Sequence, residues 1–102
     1  MEIYDIVDAI NIATKNETGG HYVLHRSMEV QQMKIYKKLS YVLYLVGDGY
    51  KTRILTQQCI VRLPDADIEK VWAIQDRQFL VHLLTWFKYG KLANESIPDT
   101  NN

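Results

Sequence analysis

Apolar residues follow different spacings in different parts of this chain, and each spacing predicts a particular element. Over residues 3–15 they recur every three or four positions, which predicts an amphipathic helix that ends before a Gly-Gly pair. Residues 40–46 are rich in β-branched and aromatic side chains, and residues 47–49 supply turn chemistry, which predicts a hairpin into a strand at residues 50–55. The chain therefore combines helices with antiparallel strands.

Two more strands and two more helices are predicted between and after these elements. The capping residues Ser27 and Asp65 each follow a short apolar run and can accept a hydrogen bond from the first turn of a helix. A strand is therefore expected before each cap and a helix after it. In chain order, the predicted strands and helices cover residues 21–26, 28–38, 59–63 and 66–77.

The chain also nearly repeats itself after 38 residues. Residues 22–46 can be laid over residues 60–84 without a gap, and 12 of the 25 aligned positions are apolar in both. A period of this length is typical of a repeated supersecondary unit whose copies share one core. Residues 79–88 fit a strand or a helix, since their leucines also have helical spacing; the repeat favours the strand, which we adopt.

These elements predict a single α+β domain with an internal duplication. At 102 residues the chain is long enough for one shared core and too short for two independent ones. Two similar β-α-β(β) modules would pack together, with the first helix as an addition outside the repeat. The predicted organisation is a domain over residues 1–92, modules at about 21–55 and 58–92, and a flexible polar tail at 93–102.

Composition narrows the classes of function. Twelve basic and twelve acidic side chains cancel, so a nucleic-acid role would need a local basic patch. A single cysteine, Cys59, excludes an intramolecular disulfide and suits a reducing compartment. No signal peptide or bilayer-spanning run is recognisable. We therefore expect an intracellular protein without a membrane partner.

Candidate catalytic and metal-binding residues are few. His21 and His25 share a face in either a strand or a helix, but no acid or thiol lies at a diagnostic distance. Cys59 and His82 could pair as nucleophile and base, yet nothing nearby would activate the thiol. Phosphate-binding loops and hydrolase motifs are missing from the sequence. We expect no enzyme, no metal and no cofactor.

Two surfaces could bind a macromolecule. Large rings concentrate in the last third of the chain, and such rings favour interfaces. The rings predicted to line a partner-binding groove are Tyr44, Trp72, His82, Trp86 and Tyr89. A basic helix face with charge from the following hairpin could instead meet phosphates. The alternative nucleic-acid-binding residues are Lys34, Lys37, Lys38, Lys51 and Arg53.

The paired segments give the chain a resemblance to a class of small proteins. A short chain with two similar modules at 27–46 and 65–84, no catalytic signature and a polar ending resembles the small uncharacterised proteins of archaeal filamentous viruses or mobile plasmids. The resemblance covers architecture and carries over no functional residue. It implies an accessory protein that acts by contact with another protein, in the host cytoplasm if the chain is viral.

The sequence thus leads to two hypotheses of different classes. The first is a non-enzymatic interaction module that binds a peptide or partner protein in a groove between the duplicated motifs, and a homo-oligomer is compatible with it. The alternative is a small nucleic-acid-binding regulator that uses a basic helix face.

Overall fold

Two helices and three strands account for nearly all of the residues that the structure, a computed structural model, describes. These residues are 2–14, 19–31, 36–62 and 67–91. A short π-helical segment, Trp86–Lys91, continues the second helix. The elements in chain order are α1 (Ile3–Thr14), β1 (His21–Gln31), β2 (Tyr36–Gly47), β3 (Tyr50–Arg62) and α2 (Ile68–Thr85). The predicted α+β class is confirmed.

The three strands form one antiparallel sheet in the order β1-β2-β3. Leu43 lies opposite Leu24 of β1 and Leu55 of β3, so one face of the sheet is apolar across all three strands. The predicted hairpin is present, with β2 and β3 joined by a tight turn at Asp48 and Gly49. Gly49 has φ of +84°, a backbone conformation that glycine adopts without the strain of a Cβ.

Both helices pack on the same face of this sheet. In β2, alternate side chains from Lys37 to Leu43 are buried, which is the period of a strand with one covered face. The core combines Tyr41 and Leu43 of β2 with apolar side chains of β1 and β3 and one apolar stripe from each helix. Its members are Ile3, Val7, Ile10, Tyr22, Leu24, Tyr41, Leu43, Leu55, Phe79, Leu83 and Trp86. The opposite face of the sheet has no helix over it in the described part of the chain.

An asparagine attaches α1 to the outer edge of β1. The Asn11 side-chain amide donates to the Tyr22 carbonyl at 2.9 Å, and the Tyr22 backbone N–H donates to Asn11 Oδ1 at 2.6 Å. These two bonds satisfy the backbone groups that Tyr22 turns away from β2. The side chain thus takes the place of a neighbouring strand at this point, and α1 blocks the β1 edge there.

The helix predicted at residues 28–38 is wrong wherever the structure describes it. Residues 28–31 continue β1 and residues 36–38 begin β2, with Met28 opposite Leu39 and Glu29 opposite Lys38. Pairing in the sheet satisfies the backbone of both segments and buries Leu39. Tertiary pairing therefore overrides the capping signal of Ser27.

The strand adopted for residues 79–88 is also wrong, because α2 and the π-helical segment cover them. Phe79, Leu83 and Trp86 are spaced three or four apart, which places all three against the sheet. The structure does not show the internal duplication, since residues 22–31 and 36–46 supply strands and residues 68–84 a helix. The tail at 93–102 and the cap Asp65 lie outside the described residues.

Candidate functional site

The uncovered face of the sheet is strongly basic. Strand alternation and register place four basic side chains and one acidic side chain on it, which gives this face a net charge of +3 in a chain with no net charge. The basic residues are Lys38, Lys51, Arg53 and Arg62, and the acid is Glu29. Two histidines of β1, His21 and His25, are exposed on the same face.

Most of this positive charge is not neutralised by any carboxylate of the described residues. Glu29 lies 3.8 Å from the Lys38 ammonium, and in this exposed setting the pair is weak. Lys51, Arg53 and Arg62 have no carboxylate within 4 Å among the described residues. Their charges are therefore available to a bound anion.

The basic residues form two groups at opposite ends of the face. Register places Arg53 opposite Tyr44 near the turn, whereas Lys38 lies six residues earlier on β2. At about 3.4 Å per residue, the two groups are separated by about 20 Å. A linear polyanion could contact both groups at once, and a small anion could contact only one.

Aromatic and polar side chains lie along the same face. Tyr36 and Tyr44 are half-buried at the two ends of β2, and the Lys51 ammonium lies 4.3 Å from the Tyr44 ring centroid. Between these ends the face presents Ser40 and Gln58, which can donate and accept hydrogen bonds. Cations, flat rings and small polar groups therefore share this face with apolar side chains such as Val42 and Ile60.

The helical layer carries the opposite charge. Its exposed acids include Glu2, Asp5 and Asp8 near α1, together with Glu69 at the start of α2. Among the described residues, most acids therefore lie on the helical side together with the exposed bases Lys70, Arg77 and Lys88, whereas the open face is mainly basic. This separation cannot be seen in the net charge.

The structure brings three of the five predicted basic residues together, but on a different kind of surface from the one predicted. Lys38, Lys51 and Arg53 share the open sheet face, whereas Lys37 is fully buried on the opposite face. Lys34 lies outside the described residues. The surface is thus a sheet face and not the predicted helix face. Sequence reasoning missed Arg62. The two-residue period that begins at Tyr36, the residue opposite Arg62 in the sheet, could have identified the true face.

The five rings predicted to line a groove are not brought together. Tyr44 lies on the open face, on the other side of the sheet from α2. Trp86 is only 4% exposed and packs edge-on against Tyr22, so it belongs to the core. Tyr89 is 62% exposed and lies in the π-helical segment that ends the described residues. Trp72 is half-buried, and His82 is exposed beside Phe79.

A polar network joins α2 to the covered face of the sheet. Arg26 Nη1 donates to Asp76 Oδ2 at 2.5 Å, and the Tyr41 hydroxyl donates to the other carboxylate oxygen. The Arg26 guanidinium also lies 4.3 Å from the Trp72 ring centroid. Burial lowers the pKa of Arg26, but hydrogen bonding and attraction to Asp76 outweigh burial and raise it. Each member has a partner, so the role of the network is structural: it holds α2 on the covered face of the sheet.

The groups considered for catalysis do not form a reactive pair. Burial raises the pKa of the Cys59 thiol, and the hydrogen bond with Leu39 only partly offsets this, which disfavours the reactive thiolate. No described contact joins Cys59 to His82. Among the described residues, no group of three or more His, Cys, Asp or Glu side chains could hold a metal ion.

Comparisons with known proteins leave the open face as the main clue. The chain matches no protein-family model, and no curated protein or solved structure matches it significantly. In the ranges that the structure describes, neither helix is long and apolar enough to cross a membrane. Function must therefore be inferred from the chain's own surface.

Proposed function

We propose that the chain binds single-stranded nucleic acid along the open face of its sheet. The observation that carries this proposal is the net charge of +3 on a face that also presents tyrosine rings. Single-strand binding surfaces combine cations that follow the backbone with flat side chains on which bases stack. The proposal keeps the chemistry of the nucleic-acid hypothesis and moves it from a helix to the sheet.

Each kind of side chain has a separate role in this interaction. Lys51 and Arg53 would neutralise phosphates near the turn and release the counterions condensed on them. Arg62 would do the same at the far end of the face, while a base stacks on the accessible part of the Tyr44 ring. The polar residues between them form hydrogen bonds with backbone or base without requiring one sequence. Binding should therefore show little sequence preference.

Removing two cations from the open face should weaken binding about tenfold at low salt. The variant is Lys51→Gln with Arg53→Gln, and the measurement is fluorescence anisotropy with a labelled polythymidine strand. Three or four phosphate contacts predict a slope of log K against log salt of about −2 to −3, because each contact contributes about −0.7. The variant should lose about 1.4 from this slope.

The matched control removes the same amount of charge from the helical side. Lys70→Gln with Arg77→Gln takes two exposed cations from α2, so the net charge changes equally. This variant should bind like the wild type. Absence of binding by the wild type at low salt, or equal losses in both variants, would overturn the proposal.

A second candidate is the capture of an extended peptide at the edge of β3. Asn11 and α1 block the β1 edge at Tyr22, whereas β3 has no strand beyond it in the described part of the chain. Residues 56–61 of β3 carry no charge that would repel an added strand. This candidate retains the protein-binding hypothesis without the groove between duplicated motifs.

Peptides selected on the immobilised chain should bind by their backbone if this candidate is correct. An added strand offers its N–H groups to β3 at every second residue. N-methylation at those positions should reduce affinity at least tenfold, since each methyl removes a donor and obstructs pairing. Methylation at the intervening positions is the control. Equal effects at both sets of positions, or no selectable peptide, would count against it.

A further inference from the structure

One face of α2 points away from the sheet and carries an apolar pair between opposite charges. Ile74 and Val81 are 56% and 61% exposed, and they lie two helical turns apart on the same stripe. Asp67, the N-cap residue just before α2, precedes Ile74 by seven residues, and Lys88, in the π-helical segment after α2, follows Val81 by seven. The order along the stripe is therefore acid, apolar, apolar, base, and Arg77 with Gln78 flanks its centre.

This order is complementary to itself when the helix is reversed. In an antiparallel pair centred between Arg77 and Gln78, Ile74 lies opposite the second copy's Val81. Asp67 then lies opposite the second copy's Lys88, and the twofold axis repeats both contacts. A parallel pair would instead place acid against acid and base against base.

We propose that two copies of this chain associate through α2 in this antiparallel arrangement. Each copy covers the other's exposed Ile74 and Val81, with Leu84 (44% exposed) at the border. Heptad spacing allows the stripes to remain in contact along the helices, and the long Lys88 side chain can adjust to the wider π-helical turn. Arg77 flanks the axis opposite the second copy's Gln78 and can remain in water.

The interface is small, so the dimer should form at micromolar concentration. Few apolar residues are covered, and a contact of one helix from each copy falls below the usual size of a stable interface. The two open sheet faces would point outward from the pair. The dimer therefore does not depend on nucleic-acid binding, and each proposal can fail without the other.

Sedimentation velocity from about 10 to about 500 µM tests the association directly. The mass should rise from 11.9 kDa toward twice that value. Asp67→Lys alone and Lys88→Asp alone should each raise the dissociation constant about tenfold, because two attractive pairs become repulsive. The double variant Asp67→Lys with Lys88→Asp should restore association. A monomer throughout, or no restoration, would overturn the proposal.

Disulfide trapping tests the orientation without relying on charge. In a Cys59→Ser background, Ile74→Cys and Val81→Cys chains are oxidised separately and as a mixture. Like positions would be about 10 Å apart along the axis in the antiparallel pair, beyond the Cα separation of about 7 Å that a disulfide spans. The mixture alone should cross-link. Cross-linking of each variant by itself, or of none, would contradict the arrangement.

Discussion

Replacing Phe79 with alanine should lower the free energy of unfolding by about 3–5 kcal/mol. Phe79 is fully buried, and its ring stacks on Tyr41 with centroids 4.8 Å apart. It joins α2 to the central strand, so its removal leaves a cavity where helix and sheet meet. A domain of this size is typically stable by only about 5–15 kcal/mol, so the loss would be a large share of the total.

Urea unfolding followed by circular dichroism measures this loss. Phe79→Leu should cost much less, because it fills most of the same volume with an apolar side chain. Val81→Ala on the exposed face of the same helix should change stability by no more than about 0.5 kcal/mol at concentrations where the chain is monomeric. If Phe79→Ala cost no more than Val81→Ala, the observed packing of α2 on the sheet would be wrong.

Replacing Asp76 with alanine should have the next largest effect, a loss of about 2–3 kcal/mol. The change leaves the Arg26 guanidinium without its carboxylate and the buried Tyr41 hydroxyl without its acceptor. Arg26 and Asp76 retain 28% and 24% of their side-chain exposure, so water moderates the loss. Urea unfolding of Asp76→Ala, Arg26→Met and the double variant measures the coupling between the two residues.

The coupling and the pH dependence distinguish this network from a simple change in packing. The double variant should lose at least 0.5 kcal/mol less than the sum of the single losses.

Burial, and then the hydrogen bond to Asp76, raises the pKa of Tyr41 above its usual range. Its contribution to stability is therefore complete below about pH 10 and decreases as the pH rises further. Tyr41→Phe should reduce this alkaline loss. Additive single losses and an unchanged alkaline profile would contradict the network.

The open sheet face shows why the candidate site was only partly predictable. Lys51 and Arg53 were identified because the hairpin signal at Gly47-Asp48-Gly49 was clear in the sequence. Lys37 was assigned to the same surface by helical spacing, yet in β2 it lies on the buried face. A period of two places Lys37 and Lys38 on opposite faces, whereas a helix would have kept them near each other.

The C-terminal half shows the opposite error. The spacing of Phe79, Leu83 and Trp86 is helical, and local pattern alone would have favoured α2 there. The repeat was given more weight, although apolar spacing in 25 positions cannot distinguish a copied unit from two amphipathic segments. The rings were grouped by their nearness in sequence. In the structure they separate, because Tyr44 and α2 lie on opposite sides of one sheet.

The sequence by itself determined the α+β class, the first helix and the hairpin turn, because each depends on local spacing or on backbone conformations that few residues adopt. The tertiary structure alone decided that residues 28–31 and 36–38 pair as strands and that both helices cover the same face. Those outcomes depend on contacts between residues far apart in the chain. The same contacts place four basic side chains on the open face and bury Lys37 on the other.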